Sequence, residues 1–183
     1  ELHTDLAHDL EGILHYGQRF HEISPEHFIV KVPLTPTGLL GARKLREQGI
    51  PVNFTLEFSA RQNVLVAAVA KPNYLNVFLG RLNAFVKDHQ LGSGDNVGEK
   101  TTLASQRAVH EYTRDYTVPP KQIAASMRSG EQVESLAGID VFTMPTKVAA
   151  EARKTLSGSF RSHADEDYPV ELAEGVKPEE VKI

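Results

Sequence analysis

Short apolar stretches and helix-like stretches alternate at least five times along this 183-residue chain, and that alternation is what most limits its fold. Repeated strand-helix pairs specify a parallel α/β sheet with right-handed crossovers. The strand-like stretches are 28–33, 51–58, 74–81, 122–127 and 140–145. Helical patterns are expected over about 4–23, 37–48, 60–71, 101–115, 130–137 and 146–156. In the first, Leu2, Leu6, Leu10, Ile13, Leu14 and Phe20 recur at helical spacing, with Thr4 or Asp5 placed to cap it. In the second, Leu39, Leu40, Ala42 and Leu45 are expected to face inward, and Gly49 to stop the helix. Ser59 caps the third, whose alanines and valines read as buried. Residues 86–100 read as a polar, glycine-rich loop.

The placement of polar residues chooses between parallel architectures. A doubly wound sheet calls for a glycine-rich phosphate turn after its first strand, and no GxGxxG is present. A (β/α)8 barrel instead gathers its functional residues at the C-terminal ends of the strands. Lys31, Asn53, Thr55, Asn76, Arg81, Ser126 and Arg128 each fall in or just beyond a strand-like stretch. The expected fold is therefore an α/β (β/α)8 TIM barrel. Such a barrel has eight strands, whereas the sequence offers five and a stub at Glu1. The first two to three strands are thus expected to be lacking, and the chain to be the C-terminal portion of a longer polypeptide. Residues 1–156 form the expected barrel segment. Residues 157–183 form an acidic, proline-containing tail with at most one short helix near 178–183.

Composition narrows the function classes. Hydrophobic residues make up 40% of the chain, enough for one real core. The net charge of −4, with both signs interspersed, gives no basic field for nucleic acid. No apolar run approaches the roughly 18 residues of a membrane span. Cysteine is absent, so there is neither a disulfide nor a thiolate metal site, which fits a cytoplasmic protein. His3, His8, His15, His21 and His27 crowd the start of the chain. No adjacent pair of them shows i, i+4 spacing on one face with an acid, so they read as surface and interhelix residues and no metal is expected.

Phe28-Ile29-Val30-Lys31-Val32-Pro33 is apolar on both faces except for its lysine. Burial disfavours an ammonium and turns the side chain into an amine nucleophile, the group that makes Schiff bases with carbonyl substrates. The alternative is a lysine at a strand end that snorkels to water.

Four stretches together resemble the transaldolase family. They are Ile29-Val30-Lys31-Val32-Pro33-Leu34-Thr35, the run from Gly49 to Ser59 (Gly-Ile-Pro-Val-Asn-Phe-Thr-Leu-Glu-Phe-Ser), Phe78-Leu79-Gly80-Arg81-Leu82, and Ala125-Ser126-Met127-Arg128. Order and spacing agree from Glu1 to about residue 155. The resemblance implies a (β/α)8 barrel that transfers a dihydroxyacetone unit between sugar phosphates in the pentose phosphate pathway, without metal or organic cofactor. It implies that Lys31 is the Schiff-base lysine, and that Glu1 and Thr55 hold a water that shuttles protons. Asn53 and Asn76 would bind the dihydroxyacetone hydroxyls, and Arg81, Ser126 and Arg128 the phosphate. Two guanidinium groups suit a phosphate through bidentate bonds. Asn76 stands where many members have serine. Pro33 resembles the shorter, aldolase-like branch, and Asn53-Phe54-Thr55-Leu56 the larger transaldolases. The family's acid/base aspartate and a further substrate asparagine belong to its first two strands, which have no counterpart here. A lyase that releases free dihydroxyacetone, and a barrel remnant that only binds sugar phosphate, remain alternatives, and a homo-oligomer stays open.

Overall fold

The computed structural model describes residues 1–156 and 160–176. Five strands, β1 (Val30–Pro33), β2 (Val52–Thr55), β3 (Tyr74–Phe78), β4 (Lys121–Ala125) and β5 (Val141–Phe142), form one sheet in sequential order. Every neighbouring pair is parallel. Seven α-helices are present among the described residues: α1 (Leu10–Ile23), α2 (Pro36–Glu47), α3 (Ala60–Val69), α4 (Leu79–Asp88), α5 (Val97–Tyr112), α6 (Glu131–Ser135) and α7 (Thr146–Thr155). A parallel sheet with sequential neighbours and helical crossovers is a barrel wall seen in part, as the strand count implies. The backbone N–H of Leu2 donates to Lys31 O at 3.2 Å, so the residues after Glu1 run along the outer edge of β1.

Strand alternation sets what each face of the sheet does. Val30 and Val32 on β1, Val52 and Phe54 on β2, and Leu75 and Val77 on β3 are all buried. Ala42 and Leu45 of α2, and Val66 and Ala67 of α3, belong to the same core as the β1 and β2 residues. The residues between them, Lys31, Asn53 and Asn76, have the opposite parity and line the other face. Register carries them side by side: Lys31 pairs with Asn53 and Asn53 with Tyr74.

Several element ends differ from the sequence expectation, each for a local reason. The first helix is split. A 3-10 turn occupies Thr4–Leu6, and α1 starts at Leu10 with Asp9 as its cap, its carboxylate accepting from the Gly12 N–H at 3.0 Å. Phe28 and Ile29 are exposed and lie outside β1, and Leu40 is on the outer side of α2. Leu65 is exposed on α3, which is therefore not buried all round. β2 stops at Thr55 because Leu56 takes a left-handed backbone, φ 73°. The third strand is shorter than expected, and a helix, α4, follows it at once. Leu79, Leu82 and Val86 are buried at helical spacing, a pattern that runs through what reads as strand end and loop. The loop is accordingly cut to 89–96.

The C-terminal segment packs against the barrel wall. Arg107 of α5 donates to Ala164 O at 2.9 Å and to Glu166 O at 3.0 Å, and Tyr168 donates to Ser135 O at 2.8 Å. Gly92 and Leu172 form an antiparallel bridge, tying this segment to the 89–96 loop. The short helix expected near 178–183 lies outside the described residues. No described helix is long and apolar enough to cross a membrane.

Phe54 is wholly buried in the core between β2 and its helices. Phe54→Ala should lower unfolding stability by about 3–5 kcal/mol, read from urea denaturation.

Candidate active site

Lys31 sits midway along β1 with its side chain on the open face of the sheet. Its Nζ lies 3.6 Å from Glu1 Oε2, with the side chains 27% and 62% exposed. The lysine is therefore partly wetted and paired rather than dry, because the face it lines is the polar one. A pair this exposed adds at most about 1 kcal/mol to stability. What it does is fix the direction of the amine. Lys31 Nζ also lies 5.4 Å from the centroid of the Phe78 ring, and Arg81 Cζ lies 4.7 Å from the same centroid. The amine of β1 and the guanidinium following β3 thus lean on one aromatic ring.

Asn53 and Asn76 meet where β2 and β3 part. The two strands are in register at Asn53 and Tyr74; beyond that point Asn76 Nδ2 donates to Phe54 O at 2.8 Å and to Asn53 Oδ1. Side-chain amides thereby take over from backbone pairing and hold both asparagines beside Lys31. Thr55 ends β2 with its Oγ1 buried and without a hydrogen-bond partner, and no hydrogen bond joins it to Glu1 among the described residues.

Arg81, Ser126 and Arg128 gather at the C-terminal ends of β3 and β4. A Cβ added to Gly80 would lie 2.2 Å from Ser126 O and 2.9 Å from Arg128 Nε, so Gly80 permits the close approach of these two turns. Ser126 itself is left-handed, φ 65°. Neither arginine has an ion-pair partner among the described residues, and both are exposed. A polar network centred on the buried Glu99 holds the turn that carries Arg128. Gln132 Oε1 accepts from the Arg128 N–H at 2.6 Å, and Gln132 Nε2 donates to Glu99 Oε1 at 2.6 Å. Asn83 Nδ2 in turn donates to Glu99 Oε2 at 3.0 Å.

The residue that sequence reading passes over is Glu57. It is wholly buried, and neither carboxylate oxygen has a hydrogen-bond partner. Burial pushes its pKa up from an ordinary 4.5 to about 8, against smaller opposing effects of its own N–H, the Asn76 N–H and the Lys31 charge. Those N–H groups lie close enough to favour the carboxylate but not in hydrogen-bonding geometry. A cleft elsewhere, between α6, β5 and the C-terminal segment, is lined by Val133, Phe142, Phe160 and Arg161 and includes none of the residues above.

The family model for transaldolase/fructose-6-phosphate aldolase matches residues 1–177. The chain belongs to that family. Among curated relatives, a probable transaldolase of Exiguobacterium sibiricum is 36% identical over 145 residues, covering 78% of this chain and 60% of the relative. A transaldolase of Chlamydia muridarum is 32% identical over 157 residues, covering 82% of this chain and 48% of the relative. A probable transaldolase of Aquifex aeolicus is 35% identical over 142 residues, covering 76% and 58%. The chain thus spans about half to three-fifths of the length of these relatives. The five-stranded parallel sheet agrees with a partial TIM barrel of this family.

In this transaldolase-family chain, Glu57 makes stability depend on pH. Its folded pKa lies above its unfolded one, so the fold binds an extra proton between about pH 4.5 and pH 8. Stability is fully present below that window and falls as pH rises through it, by on the order of 5 kcal/mol in all. Glu57→Gln removes the titration. Its melting temperature relative to wild type should climb between pH 5 and pH 8 and be level below pH 4.5; a constant difference would contradict the buried, neutral carboxyl.

Proposed function

We propose that this chain supplies the Schiff-base half of a transaldolase that moves a dihydroxyacetone unit from sedoheptulose 7-phosphate or fructose 6-phosphate to an aldose phosphate. The observation that carries this reading is Lys31 at a strand on the open face, 3.6 Å from a carboxylate and sharing Phe78 with an exposed guanidinium. In this reading Lys31 Nζ attacks the ketose carbonyl. The carbinolamine loses water, and the iminium draws electrons from the neighbouring carbon–carbon bond as it breaks. The aldose phosphate departs, and the enamine left on Lys31 adds to the incoming aldehyde. Glu1 and Thr55 serve proton transfer through a water. Asn53 and Asn76, already fixed by each other, orient the dihydroxyacetone hydroxyls. Arg81, Ser126 and Arg128 take the phosphate, which explains how a chain of net negative charge holds an anion: the positive field is local. The role belongs to cytoplasmic sugar-phosphate metabolism, the pentose phosphate pathway, and needs no organic cofactor.

The family description also names fructose-6-phosphate aldolase, which favours a lyase as the second reading. The two differ in the fate of the enamine. Fructose 6-phosphate given with and without erythrose 4-phosphate, with free dihydroxyacetone assayed, separates them: release without the acceptor marks the lyase.

Borohydride with fructose 6-phosphate should add a dihydroxyacetone-derived mass to the peptide containing Lys31, and Lys31→Met should abolish it. An unmodified Lys31 peptide in the wild type would leave only sugar-phosphate binding. Arg128→Ala should raise KM for phosphorylated substrates by roughly 10–100-fold, the worth of a charge-assisted hydrogen bond, with a smaller change in kcat. An unchanged KM would count against the phosphate role.

A further inference from the structure

Glu99 of α5 is 4% exposed, and its bonding partners are neutral amides. Its Oε2 accepts from Asn83 Nδ2 at 3.0 Å, and its Oε1 from Gln132 Nε2 at 2.6 Å. The cation next to it in sequence, Lys100, pairs instead with Asp167 at 2.7 Å. A buried carboxylate without a cation is a costly way to join helices, and apolar side chains would do that better. What a carboxylate offers instead is acceptance at both oxygens.

The far ends of the two amides show what is joined. Asn83 lies on α4, two residues after Arg81, and its Oδ1 accepts from the Gly98 N–H at 2.7 Å. A Cβ on Gly98 would collide with the Leu79 backbone, so the start of α5 lies directly against the start of α4. Gln132 Oε1 accepts from the backbone N–H groups of Arg128, at 2.6 Å, and of Ser129, at 3.3 Å. Both amide oxygens are thus taken by backbone N–H groups, which leaves both amide nitrogens to face Glu99. One carboxylate ties the helix that bears Arg81 to the turn that bears Arg128.

We propose that Glu99 is a positioning residue: through Asn83 and Gln132 it sets the separation of Arg81 and Arg128, and with it the affinity for the phosphate of the substrate. The proposal rests on the reading of those two arginines as the phosphate grip. Both guanidinium groups are exposed and long-stemmed, so their spacing is only as fixed as the backbones that carry them. Gly80 lets the two backbones touch on one side, and Glu99 braces them from behind. A fork-shaped donor pair holds an anion well only when its geometry is set beforehand.

The test is borohydride trapping on Lys31 of the complete polypeptide, read as the half-saturating concentration of fructose 6-phosphate and, separately, of dihydroxyacetone, which carries no phosphate. In Glu99→Gln one amide nitrogen must face another, and turning Asn83 or Gln132 over costs a backbone N–H its acceptor. The half-saturating concentration of fructose 6-phosphate should rise by about 10-fold, the worth of one hydrogen bond, and that of dihydroxyacetone should not change. Glu99→Gln combined with Gln132→Glu exchanges the roles and rebuilds every bond. The new amide accepts from Asn83 and donates to the new carboxylate, which keeps the Arg128 N–H. This pair should return the value toward wild type. Equal weakening of both ketones, no change for fructose 6-phosphate, or no recovery in the exchanged pair would each overturn the proposal and leave the lysine reading intact. Should Glu99→Gln not fold, Gln132→Met, at a half-buried position, cuts the same tie at its Arg128 end. An unchanged preference for fructose 6-phosphate over dihydroxyacetone in that variant overturns the proposal. Arg128→Ala without effect on fructose 6-phosphate would remove the phosphate reading itself, and the proposal with it.

Discussion

A parallel strand shows its residues alternately to two sides, and in this sheet the two sides meet different media. One side is pressed against helices and takes valine, phenylalanine, leucine and alanine. The other is open and takes Lys31, Asn53 and Asn76. The site depends on this division. A one-residue slip in register would send the lysine into the core and the valines to water. The apolar packing that stabilises the fold therefore also fixes the side on which the amine emerges.

The strand ends add what alternation alone does not supply. Leu56 and Ser126 both take left-handed backbones, one just past β2 and the other just past β4. Each turns the chain so that the next side chains leave the direction of the strand. The turn at Leu56 buries Glu57, and the turn at Ser126 brings Arg128 across Gly80. Gln132, Glu99 and Asn83 brace the second turn through a chain of hydrogen bonds centred on the buried Glu99. A network whose members satisfy one another rigidifies the backbone it holds.

Much of this was legible beforehand, and the boundary of legibility has physical causes. The alternation of strands and helices, the parallel sheet and the residues near strand ends follow from periodicity and from the four family-like stretches. The α4 helix was hidden because Leu79, Leu82 and Val86 continue an apolar strand without a break, and only the spacing separates them. The helix starting at Leu10 was hidden because Thr4 and Asp9 are both competent caps, and tertiary packing decides between them. Glu57 gave no usable signal. In Thr55-Leu56-Glu57-Phe58 it alternates as a solvent-facing strand residue would, and nothing in a leucine announces a left-handed turn. The expectation of a dry lysine erred differently: it took apolar neighbours in sequence for apolar neighbours in space, although alternation sends them to the opposite side.

Phe78 touches both ends of the site. The amine of Lys31 and the guanidinium of Arg81 rest against its one ring, some fifty residues apart in sequence. Two cations that lean on one ring share a support, so the same aromatic face sets where both charges rest. Trimming that ring would free a strand lysine and a helix arginine together, although neither touches the other in sequence.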